Sequence, residues 1–126
     1  MNSETALYEQ LYNCIVLGIA TGRLKEGEKM PTVRKLGIDL GINLHTVNKA
    51  YALLKQKGYL SSHRNMGAVV NSKRYYEADE VFISAVKASV KPVLAECCAR
   101  GMNKKEINKM TDDLIDEILN ETEGIN

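Results

Sequence analysis

Apolar residues recur along this chain at helical spacing, block after block, with one short alternating stretch in between. From Thr5 to Thr21, the positions Leu7, Leu11, Cys14, Ile15, Leu17, Gly18 and Ile19 form one stripe. They predict a long first helix, opened by Ser3 or Thr5 and stopped at Gly22. Leu24–Lys29 reads as a polar turn, and Met30-Pro31 breaks the chain, because the residue before a proline is pushed out of the helical region. A short helix is expected over Val33–Leu40, with Thr32 as its cap and Gly41 as its stop. Leu44, Val47, Tyr51 and Leu54, spaced three, four and three, predict the next helix between Asn43 and Gly58. Tyr59–His63 is extended and partly alternating, Arg64-Asn65-Met66-Gly67 supplies turn residues, and Ala68-Val69-Val70 returns as a second strand.

Two short helices joined by a tight Gly-Ile-Asn turn and followed by a β-hairpin make a winged helix-turn-helix, expected here over residues 1–74. Its second helix has a polar face of His45, Asn48, Lys49, Ala52 and Gln56, the kind of helix that lies in a DNA major groove. The tail, 75–126, predicts two more helices. Phe82, Val86, Val90, Val93 and Cys97 approximate a heptad seam between Tyr75 and Arg100, with a kink expected at Pro92. Asn103-Lys104-Lys105-Glu106 resembles a capping box and opens a last helix, striped by Ile107, Met110, Leu114 and Ile118. Two stripes cannot both be hidden within one small helical hairpin, so a second copy of the chain is the expected partner. The fold class is therefore mainly α with a small β-hairpin: a winged helix-turn-helix domain followed by a two-helix dimerisation tail.

Charge sharpens this division. The net charge of +1 conceals 11 Lys/Arg against 5 Asp/Glu in residues 1–74 and 6 against 11 in residues 75–126. A balance of +6 in the first part and −5 in the second points to a polyanion as partner of the first part alone. The 44% hydrophobic and 26% charged content is ordinary for a soluble globular protein. The N-terminus carries Glu4 and Glu9 without a basic segment, and the longest apolar run, Cys14–Ala20, is far shorter than the roughly 20 residues of a membrane span. Three cysteines without metal-ligand spacing fit reduced thiols, so the expectation is a cytoplasmic protein with no membrane partner.

The run Leu7-Tyr8-Glu9-Gln10-Leu11, then Gly22-Arg23-Leu24-Lys25-Glu26-Gly27-Glu28-Lys29-Met30-Pro31-Thr32-Val33-Arg34, resembles the DNA-binding domain of GntR-type bacterial transcriptional regulators. So do Leu40-Gly41-Ile42-Asn43, Thr46-Val47, Lys49-Ala50-Tyr51 and Gly58-Tyr59-Leu60. Length and tail pattern resemble the short YtrA-like subfamily, which implies dimerisation through the last two helices and repression by occupying a promoter. The chain departs from the family pattern in three places. Asn48 stands where members often carry Arg, and Leu44 where they commonly carry Pro or Arg. The wing sequence Arg-Gly-x-Gly-Thr appears as Arg64-Asn65-Met66-Gly67-Ala68, where Asn65 is expected to take the left-handed conformation in place of glycine.

The candidate DNA-contacting set is Arg34, Asn43, Leu44, His45, Thr46, Asn48 and Lys49 on the two helices, with Arg64, Met66 and Gly67 at the wing. The resemblance puts Arg34 at the groove, where arginine grips guanine O6 and N7 through two parallel bonds. Asn48 suits adenine N6 and N7, and His45 can donate to or accept from a base edge or a phosphate. Thr46 and Lys49 read as phosphate-side residues that set register. Leu44 either meets a thymine methyl or packs beneath Leu40. Arg64 would enter a minor groove, where narrow A·T tracts attract arginine. Tyr8 and Tyr12 read as packing residues with hydroxyls at the rim. Adjacent Cys97 and Cys98 point to different sides of a helix and make poor joint metal ligands, so no metal or cofactor is expected. Residues for catalysis are equally wanting, with no nucleophile elbow, phosphate loop or clustered His and carboxylates. The expected partners are double-stranded DNA and a second copy, with no small-molecule effector specified. The competing reading is a winged helix that has given up DNA for a protein partner; the basic tips at Arg34, Lys49 and Arg64 argue against it.

Overall fold

The computed structural model describes residues 4–120. The first compact unit ends at Tyr76 and the second begins at Glu77, two residues beyond the expected division at Arg74. Of the two caps expected for the first helix, Ser3 lies outside the described residues, and Thr5 falls inside the helix, which already runs at Glu4. In the first unit, α1 (Glu4–Ala20), α2 (Val33–Leu40) and α3 (Leu44–Gln56) precede a hairpin of β1 (Leu60–His63) and β2 (Gly67–Val70). The strands pair antiparallel, Leu60 opposite Val70 and His63 opposite Gly67.

The core forms where α3 meets α1, α2 and β1. Leu11 and Ile15 of α1, Val47, Ala50, Tyr51 and Leu54 of α3, and Met30, Leu60 and Val70 close over one another. Tyr51 is buried with them, and its hydroxyl donates to the Pro31 carbonyl oxygen at 2.7 Å. Burial pushes its phenol up to about 12, because the interior penalises phenolate. Cys14, counted in the apolar stripe of α1, is exposed instead.

The segment read as a polar turn does more than turn. Gly27 and Met30 N–H groups donate to the Val70 and Ala68 carbonyls, and Val70 N–H donates to the Glu28 carbonyl, so residues 27–30 lie along β2 as a third extended edge. At the wing, no described non-glycine residue has positive φ, which corrects the expectation for Asn65. Met66 N–H donates to the His63 carbonyl at 3.1 Å and Gly67 takes the left-handed position at φ 70°. The turn thus uses the one glycine available, two residues later, and asparagine is spared the strain.

Gly58 ends α3 as expected, but for an additional reason. Its φ is 90°, and a Cβ there would collide with the Tyr75 carbonyl oxygen. The chain after β2 folds back over this point through a 3₁₀ turn, Lys73–Tyr75, and the Tyr76 ring packs 4.9 Å from that of Tyr59. Tyr59 in turn meets Tyr12 edge to face at 6.4 Å. Burial raises the Tyr59 phenol, with a smaller push from Tyr12 and Tyr76 beside it.

This docking also corrects the start of the first tail helix, expected at Tyr75. In the second unit α4 runs over Glu80–Ala99, capped by Asp79, whose Oδ1 accepts from Phe82 N–H at 2.8 Å. Pro92 lies inside α4 without ending it. Gly101 closes the helix at φ 94°, and α5 (Lys104–Leu119) opens with the expected reciprocal box: Asn103 Oδ1 accepts from Glu106 N–H and Glu106 Oε1 from Asn103 N–H. No residue of α4 or α5 is buried; Phe82 is 50% and Leu114 53% exposed.

Candidate nucleic-acid interface

The candidate surface is built on the joint between α2 and α3. Thr32 Oγ1 accepts from Lys35 N–H and caps α2, and Asn43 Oδ1 accepts from His45 N–H at 2.8 Å and caps α3. Between them the two helices approach closely at Gly37. A Cβ on Gly37 would stand 3.0 Å from Leu44 Cδ2 and 3.2 Å from the Ile42 carbonyl oxygen. Nothing in the periodicity singled out this glycine, yet the angle of α3 against α2 depends on its missing side chain.

Positions on α3 advance about 100° per residue. Val47, Ala50, Tyr51 and Leu54 face the core, which leaves His45, Asn48, Lys49 and Ala52 exposed on the other side. Those three polar tips therefore share one surface, as the sequence pattern implied. Thr46 does not join them. It lies one turn before Ala50, at the edge of the buried stripe, with 1% of its surface exposed and its Oγ1 buried without a hydrogen-bond partner. The expectation that Thr46 reaches a phosphate is corrected: its hydroxyl is covered by the packing of α3.

Leu44 is 40% exposed and rests over Gly37, contact that the reading of it beneath Leu40 did not include. Asn43 is exposed, but its side-chain oxygen Oδ1 is committed to the cap. Arg34 is exposed near the start of α2, and Arg64, Met66 and Gly67 are exposed at the hairpin tip. His63 ends β1 with its Nε2 3.1 Å from Ser61 Oγ. Lys49 has a neighbour that sequence spacing could not reveal: its ammonium sits 4.5 Å above the centre of the Tyr8 ring on α1.

Among the described residues no three His, Cys, Asp or Glu side chains gather as metal ligands. No helix there is long and apolar enough to cross a membrane. Cys97 is half-buried and Cys98 exposed on successive positions of α4.

Comparison with known proteins follows the same division of the chain. The HTH-type transcriptional repressor YtrA of Bacillus subtilis is 24% identical over 112 residues, covering 89% of this chain and 86% of that protein. A transcriptional antiterminator from Listeria monocytogenes superposes with a TM-score of 0.83 at 25% identity, over 89% of this chain and 84% of that one. YtrA from Sulfolobus acidocaldarius, a GntR-family transcription factor, superposes with a TM-score of 0.53 at 32% identity, covering 93% and 94%. These similarities run through the tail as well as the winged helix. Residues 7–70, from Leu7 of α1 to the last residue of the wing, match the bacterial regulatory proteins of the gntR family, and the chain belongs to that family as a transcriptional regulator with a winged helix-turn-helix DNA-binding domain.

Proposed function

We propose that this regulator is a cytoplasmic homodimer that represses by occupying a roughly palindromic operator, one winged helix on each half-site. The observation that carries the reading is the exposed face of α3, where His45, Asn48 and Lys49 stand opposite the buried stripe. In it α3 lies in the major groove. Arg34 takes a guanine through its paired N–H groups, and Asn48 takes an adenine through its amide oxygen and nitrogen. Lys49 neutralises a phosphate and Arg64 enters the neighbouring minor groove. Asn43, Leu44, His45, Met66 and Gly67 complete the contact surface. The apolar stripes of α4 and α5, none of whose residues is buried in one chain, support pairing of two copies through the tail. That the similar Bacillus subtilis protein is a repressor supports the sign of regulation.

The test is selection of bound sequences from random duplex DNA by the purified chain and by Asn48→Arg, at one salt concentration. An inverted repeat is expected. The variant should shift preference from adenine to guanine at one position per half-site, by about 1–3 kcal/mol. Coincident profiles would show that Asn48 does not face a base, and a profile without inverted symmetry would remove the palindrome.

A further inference from the structure

Lys49 stands at the margin of the exposed face of α3, on the side where that helix meets α1. Its ammonium is over the Tyr8 ring, 4.5 Å from the centroid, within the range at which the ring's negative face attracts a cation. Tyr8 itself is half-buried on α1, a helix fixed against α3 by Leu11 and Ile15. A lysine on a bare helix surface samples many rotamers, and ordering it on binding costs free energy. Here one face of the ammonium rests on a ring whose own position is set by the core. The remaining N–H groups are left for a phosphate oxygen. A second pair, Lys57 over Tyr12 at 5.3 Å, repeats the arrangement one turn further along α1, so the seam between the two helices is lined by this contact.

We propose that Tyr8 is a positioning residue for DNA binding: its ring holds the Lys49 ammonium in the orientation that meets the phosphate backbone, in the free protein and in the complex. This rests on the reading of Lys49 as a phosphate contact, and the experiment separates the two. Affinity for a random-sequence duplex is measured at fixed low salt for the full chain and for Tyr8→Leu, Tyr8→Phe, Lys49→Ala and Tyr8→Leu combined with Lys49→Ala. Tyr8→Leu should weaken binding about two- to fivefold, the range for an exposed cation–π contact. Tyr8→Phe, which keeps the ring, should restore it. In the Lys49→Ala background Tyr8→Leu should cost nothing more. An equal loss in both backgrounds would mean that the ring acts only through packing, and tighter binding would mean that it withholds the ammonium from DNA; either overturns the proposal. Should Tyr8→Leu fail to fold, the Lys49 ε-methylene protons of the unaltered chain carry the test by NMR. Their ring-current shift should persist on addition of duplex, and its disappearance refutes the role. If Lys49→Ala changes neither affinity nor its salt dependence, the phosphate reading falls first and the Tyr8 role with it.

Discussion

The two units of this chain solve opposite problems with similar material. In the winged helix, every helix turns its apolar stripe onto another element, and Val47, Ala50 and Leu54 lose all contact with solvent. In the tail, α4 and α5 are as well capped and just as clearly striped, yet none of their residues is buried. The difference lies in geometry, not composition. Three helices and a hairpin can surround a common centre, whereas two helices and a short joint cannot. Capping marks where the tail helices begin: Asp79 and the Asn103–Glu106 box satisfy N-terminal N–H groups without help from packing. A stripe left open by its own chain is unfinished, and the winged helix is not.

The strongest way to break this comparison is to remove the tail. A chain ending at Tyr76 should stay folded and become monomeric, with operator affinity reduced about a hundredfold or more as two half-sites are no longer bound together. Sedimentation equilibrium and a binding titration check both halves of the statement. A dimeric truncation, or a full chain that is monomeric at micromolar concentration, would end the assignment of pairing to residues 77–126.

Matched deletions of side-chain bulk sharpen it. Leu54→Ala removes a side chain with no exposed surface and should cost about 2–5 kcal/mol in denaturant unfolding. Leu114→Ala, in a side chain 53% exposed, should leave the winged helix's unfolding midpoint alone and weaken dimer association about tenfold. Equal effects of the two on the same transition would mean that the units are one cooperative structure.

An effect confined to high pH also separates the two units. The Tyr51 phenol is raised to about 12 in the folded state, while in the unfolded chain it ionises near its ordinary value of 10. Stability from this group is therefore constant below pH 10 and falls as pH rises towards 12, by about 2–3 kcal/mol in all. Tyr59, also raised, pushes the same way. The loss should appear in the winged-helix transition and be shallower in Tyr51→Phe. The helices of the tail contain no tyrosine, so dimer association should show no such phenol-linked step.

What could be read from the chain alone follows from the range of each interaction. Caps and periodicity are local, so α2, α3 and α5 emerged with their ends at Thr32, Asn43 and Asn103, and the hairpin followed from its turn residues. The edge formed by residues 27–30 was missed because Glu28 and Lys29 are exposed and polar, and only their backbone takes part. The early start given to α4 came from a stripe that carries no record of Tyr76 docking on Tyr59. Within the site, His45, Asn48 and Lys49 share a face because helical spacing requires it. The Thr46 hydroxyl suggests a phosphate contact, but its place one turn before Ala50 fixes its burial. Gly37 and Tyr8 act through partners on other helices, which no one-dimensional pattern displays.

The fold-back of Ser72–Tyr76 over Gly58 and Tyr59 has a consequence for how such chains can be recombined. These residues look like a linker and behave as the last piece of the first unit. A hybrid spliced at Asn71 would strip Tyr59 of its neighbour and leave Gly58 without the carbonyl that crosses it. One spliced after Tyr76 would carry the whole clasp with it, and any new appendage would set out from the same doorstep. The seam for exchanging parts thus lies between Tyr76 and Glu77, beyond the last strand of the wing.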